Sequence, residues 1–65
     1  MTKAEEFLIF YLERYRYYKG LSGEDVEKLF QSKGVSEYIL RHFGALHVMS
    51  EEAVINEIDE FLSEP

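Results

Sequence analysis

Two histidines and three of the five serines are the first side chains to consider as metal ligands or nucleophiles. His42 and His47 are five residues apart, which does not place them on one helical turn, and the chain has no cysteine. Ser22, Ser36 and Ser50 each precede a helical pattern, where a hydroxyl is expected to cap the helix. The sequence therefore predicts a protein that is not an enzyme and that has no metal site and no cofactor.

Nucleic-acid recognition is a second possible chemistry, because residues 26–43 have the pattern of a helix-turn-helix motif with Gly34 in the turn. The second helix of this segment offers Arg41 for phosphate contacts, but Glu37 lies four residues before it. Phe30 is bulky where such motifs often have a small residue. Nucleic acid is therefore not the expected partner, and a nucleic-acid-binding transcriptional regulator that uses residues 26–43 stays as an alternative.

Charge is distributed unevenly along the chain. The net charge is −6, and residues 45–65 contain six carboxylates and no cation. We expect Glu57, Asp59, Glu60 and Glu64 to point to water from the last helix. This face is either only solvated or a surface that meets a basic protein or imitates the charge of a nucleic acid.

The element that must position these groups is a long helix at the start of the chain. Residues 7–18 contain six of the ten aromatic residues. Thr2 and Glu5 have the spacing of a capping box, and Gly20 is a typical helix terminator, so we predict a helix from Lys3 to Lys19. Its core-facing side follows the 3.6-residue period: Ala4, Phe7, Leu8, Tyr11, Leu12, Tyr15 and Tyr18.

A second face of this helix contains Phe10 and Tyr17, with Arg14 between them and Ile9 nearby. The last helix could cover these side chains, or they could be exposed. If they are exposed, their composition is typical of a protein interface. We then expect a homodimer, or another assembly, formed through this helix, because two copies of such a face can satisfy each other.

Three further helices are predicted. The second spans Gly23 to Lys33, and a short third helix begins at the cap Ser36 and ends at Gly44, with Ile39, Leu40 and Phe43 facing inward. Residues 45–49 are expected to form an extended connector held by Leu46 and Val48. The last helix follows Ser50 and buries a stripe of five residues: Val54, Ile55, Ile58, Phe61 and Leu62.

These elements predict a single all-α domain over residues 1–65, built as a small four-helix bundle with a helix-turn-helix-like middle. A chain of 65 residues is near the lower limit for independent folding. The sequence contains no signal peptide and no membrane-spanning segment, so we expect a cytoplasmic protein with no membrane partner.

The run GVSEYILRHFGALHVMSEEAVINEIDEF resembles the small bacterial domain of unknown function 3791 family. The features that carry the resemblance are Gly34 with Val35, the short helix around Tyr38, the pair Leu46 and His47, and the ending Ile58 to Phe61. The aromatic first helix and the turn at residues 21–23 also fit, so the resemblance covers nearly the whole chain.

The resemblance implies a short protein encoded near an ADP-ribosyltransferase-like toxin, for which it would be an antitoxin or another regulatory partner. It supplies no catalytic residue. Leu46 and His47 are the positions that it marks outside the predicted helices, and we expect Leu46 to be core and His47 to bind a helix-end carbonyl. The expected function is a non-enzymatic protein–protein interaction module, and a self-associating structural subunit is a further alternative.

Overall fold

The computed structural model describes residues 1–64, and its secondary structure there is entirely helical. The described part has principal extents of 27 × 26 × 20 Å. Residues 1–64 form five helices joined by short connections: α1 Lys3–Lys19, α2 Gly23–Ser32, α3 Val35–Arg41, α4 Phe43–Leu46 and α5 Glu51–Ser63. The predicted all-α fold is confirmed.

α1 begins and ends where local sequence signals predict. The Thr2 hydroxyl accepts a hydrogen bond from the Glu5 N–H at 3.1 Å, and the Glu5 carboxylate accepts one from the Thr2 N–H at 2.8 Å. Gly20 follows the helix in the left-handed region at φ 66°, which an L side chain adopts only with strain. The predicted bounds of α1 are therefore confirmed.

The start of α3 differs from the prediction. Gly34 has a φ of 77°, and α3 begins directly after it without a hydrogen bond from a capping side chain. The left-handed glycine turns the chain so that Val35, which is completely buried, occupies the first helical position. The prediction that Ser36 caps this helix is wrong, because the turn begins the helix two residues earlier.

The predicted extended connector over residues 45–49 is wrong as well. Phe43 to Leu46 form α4, a single helical turn in which the Leu46 N–H donates to the His42 carbonyl at 2.9 Å. Gly44 lies inside this turn instead of ending a helix. Leu46 is core as predicted, at 3% exposure, whereas Val48 is 75% exposed and holds nothing in place.

Within the described part of the chain, the core contains ten buried residues contributed by all five helices: Tyr11, Tyr15, Val26, Phe30, Val35, Ile39, Leu46, Val54, Ile55 and Ile58. Two residues predicted to face inward do not. Leu40 is 40% exposed, because the seven-residue α3 buries only the stripe of Val35 and Ile39. Tyr18 is 52% exposed, because it lies near the end of α1 and reaches the first residue of α5.

Candidate interaction surface

The outer side of α1 presents apolar side chains that no other described helix covers. We call Phe10, Arg14, Tyr17 and Tyr18 the aromatic face. Phe10 is 49% exposed and Tyr17 is 74% exposed, and the neighbouring Ile9 is 47% exposed. α5 therefore does not cover this side of α1. The face is a row of large side chains along one helix, unlike the scattered single exposures that are normal for a protein surface.

Arg14 is at the centre of the aromatic face. Its guanidinium carbon lies 5.9 Å from the ring centroid of Phe10, 5.8 Å from that of Tyr17 and 5.7 Å from that of Tyr18. At these distances the positive charge is attracted by the negative face of each ring. The arginine stem and the three rings thus form one continuous surface.

A carboxylate at the start of α5 fixes the position of Arg14. The Glu51 Oε2 atom accepts hydrogen bonds from Arg14 Nη2 at 2.7 Å, from Arg14 Nε at 3.0 Å and from the Tyr18 hydroxyl at 2.8 Å. The hydrogen bonds from Arg14 and Tyr18 hold the pKa of Glu51 below its usual value, and the same contacts raise the pKa of Arg14. The face is therefore held in place before any partner arrives, which lowers the entropic cost of binding.

Sequence reasoning included Phe10, Arg14 and Tyr17 in this surface but missed Tyr18 and Glu51. A signal for Tyr18 was present, since it is four residues after Arg14 on the same helix. Glu51 could not be found in this way, because its contact with Arg14 joins residues 37 positions apart in the chain.

The carboxylates of α5 do not all point to water as predicted. Asp59 accepts hydrogen bonds from Lys19 Nζ at 2.9 Å and from the Tyr15 hydroxyl at 2.7 Å, so the prediction is wrong for this residue. Burial of Asp59 raises its pKa, but the bonds from Lys19 and Tyr15 lower it by more, so the pKa of Asp59 is below its usual value. Glu57 is half-buried, with the Tyr38 hydroxyl 3.4 Å away.

Three carboxylates near α5 remain exposed, and we call Glu52, Glu60 and Glu64 the acidic face. A shallow groove of about 270 Å³ lies between this face and the end of α1, and it is lined by Tyr18, Glu52, Ile55 and Asn56. Apolar and acidic surface therefore adjoin, so one partner could contact both.

The pair marked by the family resemblance, Leu46 and His47, contributes to the fold: Leu46 is in the core, and His47 contacts α4. The His47 Nδ1 atom lies 3.0 Å from the Phe43 carbonyl oxygen, and the His47 ring stacks on the Phe43 ring at 4.8 Å. The His42 ring instead lies against the Tyr38 ring, with the centroids 4.8 Å apart and the planes tilted by 49°. Within residues 1–64, no group of three or more His, Asp or Glu side chains is arranged to hold a metal ion.

The helix-turn-helix-like segment pairs two of its cations within its own helices. Lys28 Nζ lies 3.3 Å from a Glu24 oxygen, and Arg41 Nη2 lies 2.8 Å from a Glu37 oxygen. These acids reduce the positive potential that a nucleic-acid backbone requires. Binding of nucleic acid through residues 26–43 stays a prediction that the geometry does not favour.

Among residues 1–64, no helix combines the length and apolar character needed to cross a membrane.

Comparison with known proteins places the chain in a family. No curated protein and no solved structure matches the chain. Residues 6–65 match the family described as protein of unknown function (DUF3791), and the chain therefore belongs to that family.

Proposed function

We propose that this protein is a cytoplasmic, non-enzymatic protein–protein interaction module. The observation that carries the proposal is the exposure of Phe10 and Tyr17 on either side of an arginine that Glu51 holds in place. Tyrosine, phenylalanine and arginine are enriched in interfaces, and binding energy concentrates on aromatic and arginine side chains. Exposed apolar groups of this size lower solubility, and such a patch usually marks a site where another protein binds.

The acidic face suggests what kind of surface the partner has. Glu52, Glu60 and Glu64 are exposed, and no cation lies in residues 45–65 to offset them. Such a one-signed surface attracts a basic protein over about one Debye length, about 8 Å at physiological salt. The acidic face would speed encounter, and the adjoining aromatic face would hold the complex.

We propose that the partner is the protein encoded beside this one, an ADP-ribosyltransferase-like toxin that this chain neutralises or regulates. Support comes from the sequence resemblance and from charge. An enzyme that uses a nucleotide substrate needs a basic site for its phosphates, and an acidic protein is complementary to such a site.

The test measures binding of the neighbour-encoded protein to the full chain by surface plasmon resonance. Tyr17→Ala should increase the dissociation rate at least about tenfold, since it removes an exposed aromatic contact. A triple change of Glu52, Glu60 and Glu64 to glutamine should slow association and flatten its salt dependence. Asp59 is left unchanged, because its bonds to Lys19 and Tyr15 belong to the fold.

Val48→Ala is the matched control, because Val48 is 75% exposed and lies outside both faces. It should bind as the unmodified chain does. If the neighbour-encoded protein does not bind, or if Tyr17→Ala and Val48→Ala bind equally well, the proposed function is wrong.

A further inference from the structure

We infer that, in the isolated protein, the aromatic face is occupied by the aromatic face of a second copy, with the two α1 helices running parallel about a two-fold axis. This inference rests on the same exposed surface as the proposed function, and it names the first occupant of that surface. It leaves the acidic faces of both copies open to a basic partner.

The spacing of the exposed rings favours this arrangement. Phe10 and Tyr17 are seven residues apart, which is two helical turns, so both lie on one line along α1. Residues at a seven-residue repeat form the seam of two parallel helices, where each side chain meets its counterpart in the other copy. Phe10 would therefore contact Phe10 of the second copy, and Tyr17 would contact Tyr17.

The charges beside the seam decide the direction of the second helix. At about 100° per residue, Arg14 lies on one flank of the line through Phe10 and Tyr17, and acidic side chains lie on the other flank. Lys3, seven residues before Phe10, continues the line itself at the first residue of α1. The acidic flank consists of Glu6 and Glu13, both exposed.

A parallel two-fold pair sets the basic flank of one copy against the acidic flank of the other. Arg14 is then level with Glu13 of the second copy. An antiparallel pair sets basic flank against basic flank, which is repulsive. The charge pattern is thus complementary to itself in one of the two directions.

Arg14 and Glu13 are both able to form an ion pair between the two copies. Arg14 uses Nε and Nη2 to bind Glu51, which leaves donors of its guanidinium for a second carboxylate. The Glu13 side chain is 66% exposed, and its contact with Arg16 is long, at 3.6 Å. Pairing between copies therefore leaves the Arg14–Glu51 contact in place.

The dimer should be weak and reversible. Its contact is one helix wide, and stable complexes usually bury about 1,200–2,000 Å² in total. A weak dimer lets another protein displace the second copy from the aromatic face, so self-association and partner binding would compete.

Sedimentation velocity on the full chain, from about 1 µM to 1 mM, is the first test. The sedimentation coefficient should rise with concentration to that of a dimer. Tyr17→Glu should weaken dimerisation at least about tenfold, because two carboxylates would meet at the seam. Val48→Glu adds the same charge at another exposed site and should dimerise normally. A monomer over the whole range overturns the inference.

Oxidative cross-linking tests the direction. The chain has no cysteine, so Phe10→Cys and Tyr17→Cys can be made singly, each keeping the other ring. Parallel helices bring each cysteine close to its own counterpart, within the roughly 7 Å that a disulfide allows between Cα atoms. Each single variant should therefore cross-link with itself, and Val48→Cys should not. If disulfides form only when the two variants are mixed, the helices are antiparallel and the inference is wrong.

The two proposals can fail separately. If the chain is monomeric but Tyr17→Glu still abolishes binding of the neighbour-encoded protein, the aromatic face serves that protein alone, and the dimer is wrong. If the dimer forms and no neighbour-encoded protein binds, the proposed function is wrong and the dimer stands.

Discussion

Replacement of Leu46 by alanine tests whether α4 is part of the core. Leu46 is 3% exposed and is the buried residue of this single turn. Large-to-small changes at such sites cost about 2–5 kcal/mol. α4 is one turn long and can shift to close part of the cavity, so we expect the lower half of that range, about 2–3 kcal/mol.

This loss is large relative to the stability of so small a domain, which is about 3–5 kcal/mol. Urea unfolding followed by far-ultraviolet circular dichroism measures it directly. With a urea dependence of about 1 kcal/mol per molar for a small domain, the unfolding midpoint should fall by about 2–3 M.

Leu40→Ala is the matched control for Leu46→Ala. Leu40 is the same residue type on the preceding helix but is 40% exposed, so its truncation should cost less than about 1 kcal/mol. Leu46→Met, which keeps the volume, should cost less than about 1.5 kcal/mol. Equal midpoints for Leu46→Ala and Leu40→Ala would refute the assignment of α4 to the core.

Three further predictions concern charge and backbone. The pKa of Glu51 is lowered in the fold, so its contribution to stability is present above the unfolded pKa of about 4.3 and is lost as the pH falls. Glu51→Gln should therefore make the free energy of unfolding less dependent on pH below about pH 4.5. Burial, followed by the bond to Asp59, raises the pKa of Tyr15, so the stability that its protonated hydroxyl contributes is present below about pH 10 and is lost at higher pH. Tyr15→Phe should therefore make the free energy of unfolding less dependent on pH in the alkaline range. An alkaline unfolding curve identical to that of the unmodified chain would contradict this. Gly34→Ala should lower the free energy of unfolding by about 1–2 kcal/mol, because alanine is strained at φ 77°. Steric contact adds nothing to this cost, since the new methyl group would lie 3.9 Å from Phe61. A thermal midpoint equal to that of the unmodified chain would show that the strain is relieved.

The parts of the fold that local signals determine were predictable from the sequence. The capping box at Thr2 and the left-handed Gly20 act within one turn of the residues they affect, so the bounds of α1 follow from neighbouring residues. The buried stripe of α5 is likewise a periodic pattern within one helix, and Val54, Ile55 and Ile58 are buried as expected.

Features set by packing between distant segments were not predictable in this way. α4 has no capping side chain, and its turn depends on Leu46 reaching a core built by the other helices. Leu40 and Ile39 are both apolar neighbours, and only the position of the core decides that Ile39 is buried while Leu40 faces out.

The candidate site shows the same division. Exposure of Phe10 and Tyr17 depended on where α5 packs, so the sequence left two alternatives open. The bond from Lys19 to Asp59 joins residues 40 positions apart, and it removes a carboxylate from the surface that the sequence assigned to solvent. The remaining exposed carboxylates keep the acidic character of α5 with a smaller set of residues.

The measurement that tests the central claim most directly is a nuclear magnetic resonance titration of the isotope-labelled chain with the neighbour-encoded protein. The proposal predicts that chemical-shift changes and line broadening concentrate at Phe10, Arg14, Tyr17 and Tyr18, with smaller changes at the acidic face. Changes confined to α2 and α3, or an unchanged spectrum with the neighbour-encoded protein in excess, would contradict the assignment of the outer side of α1 as a protein-binding surface.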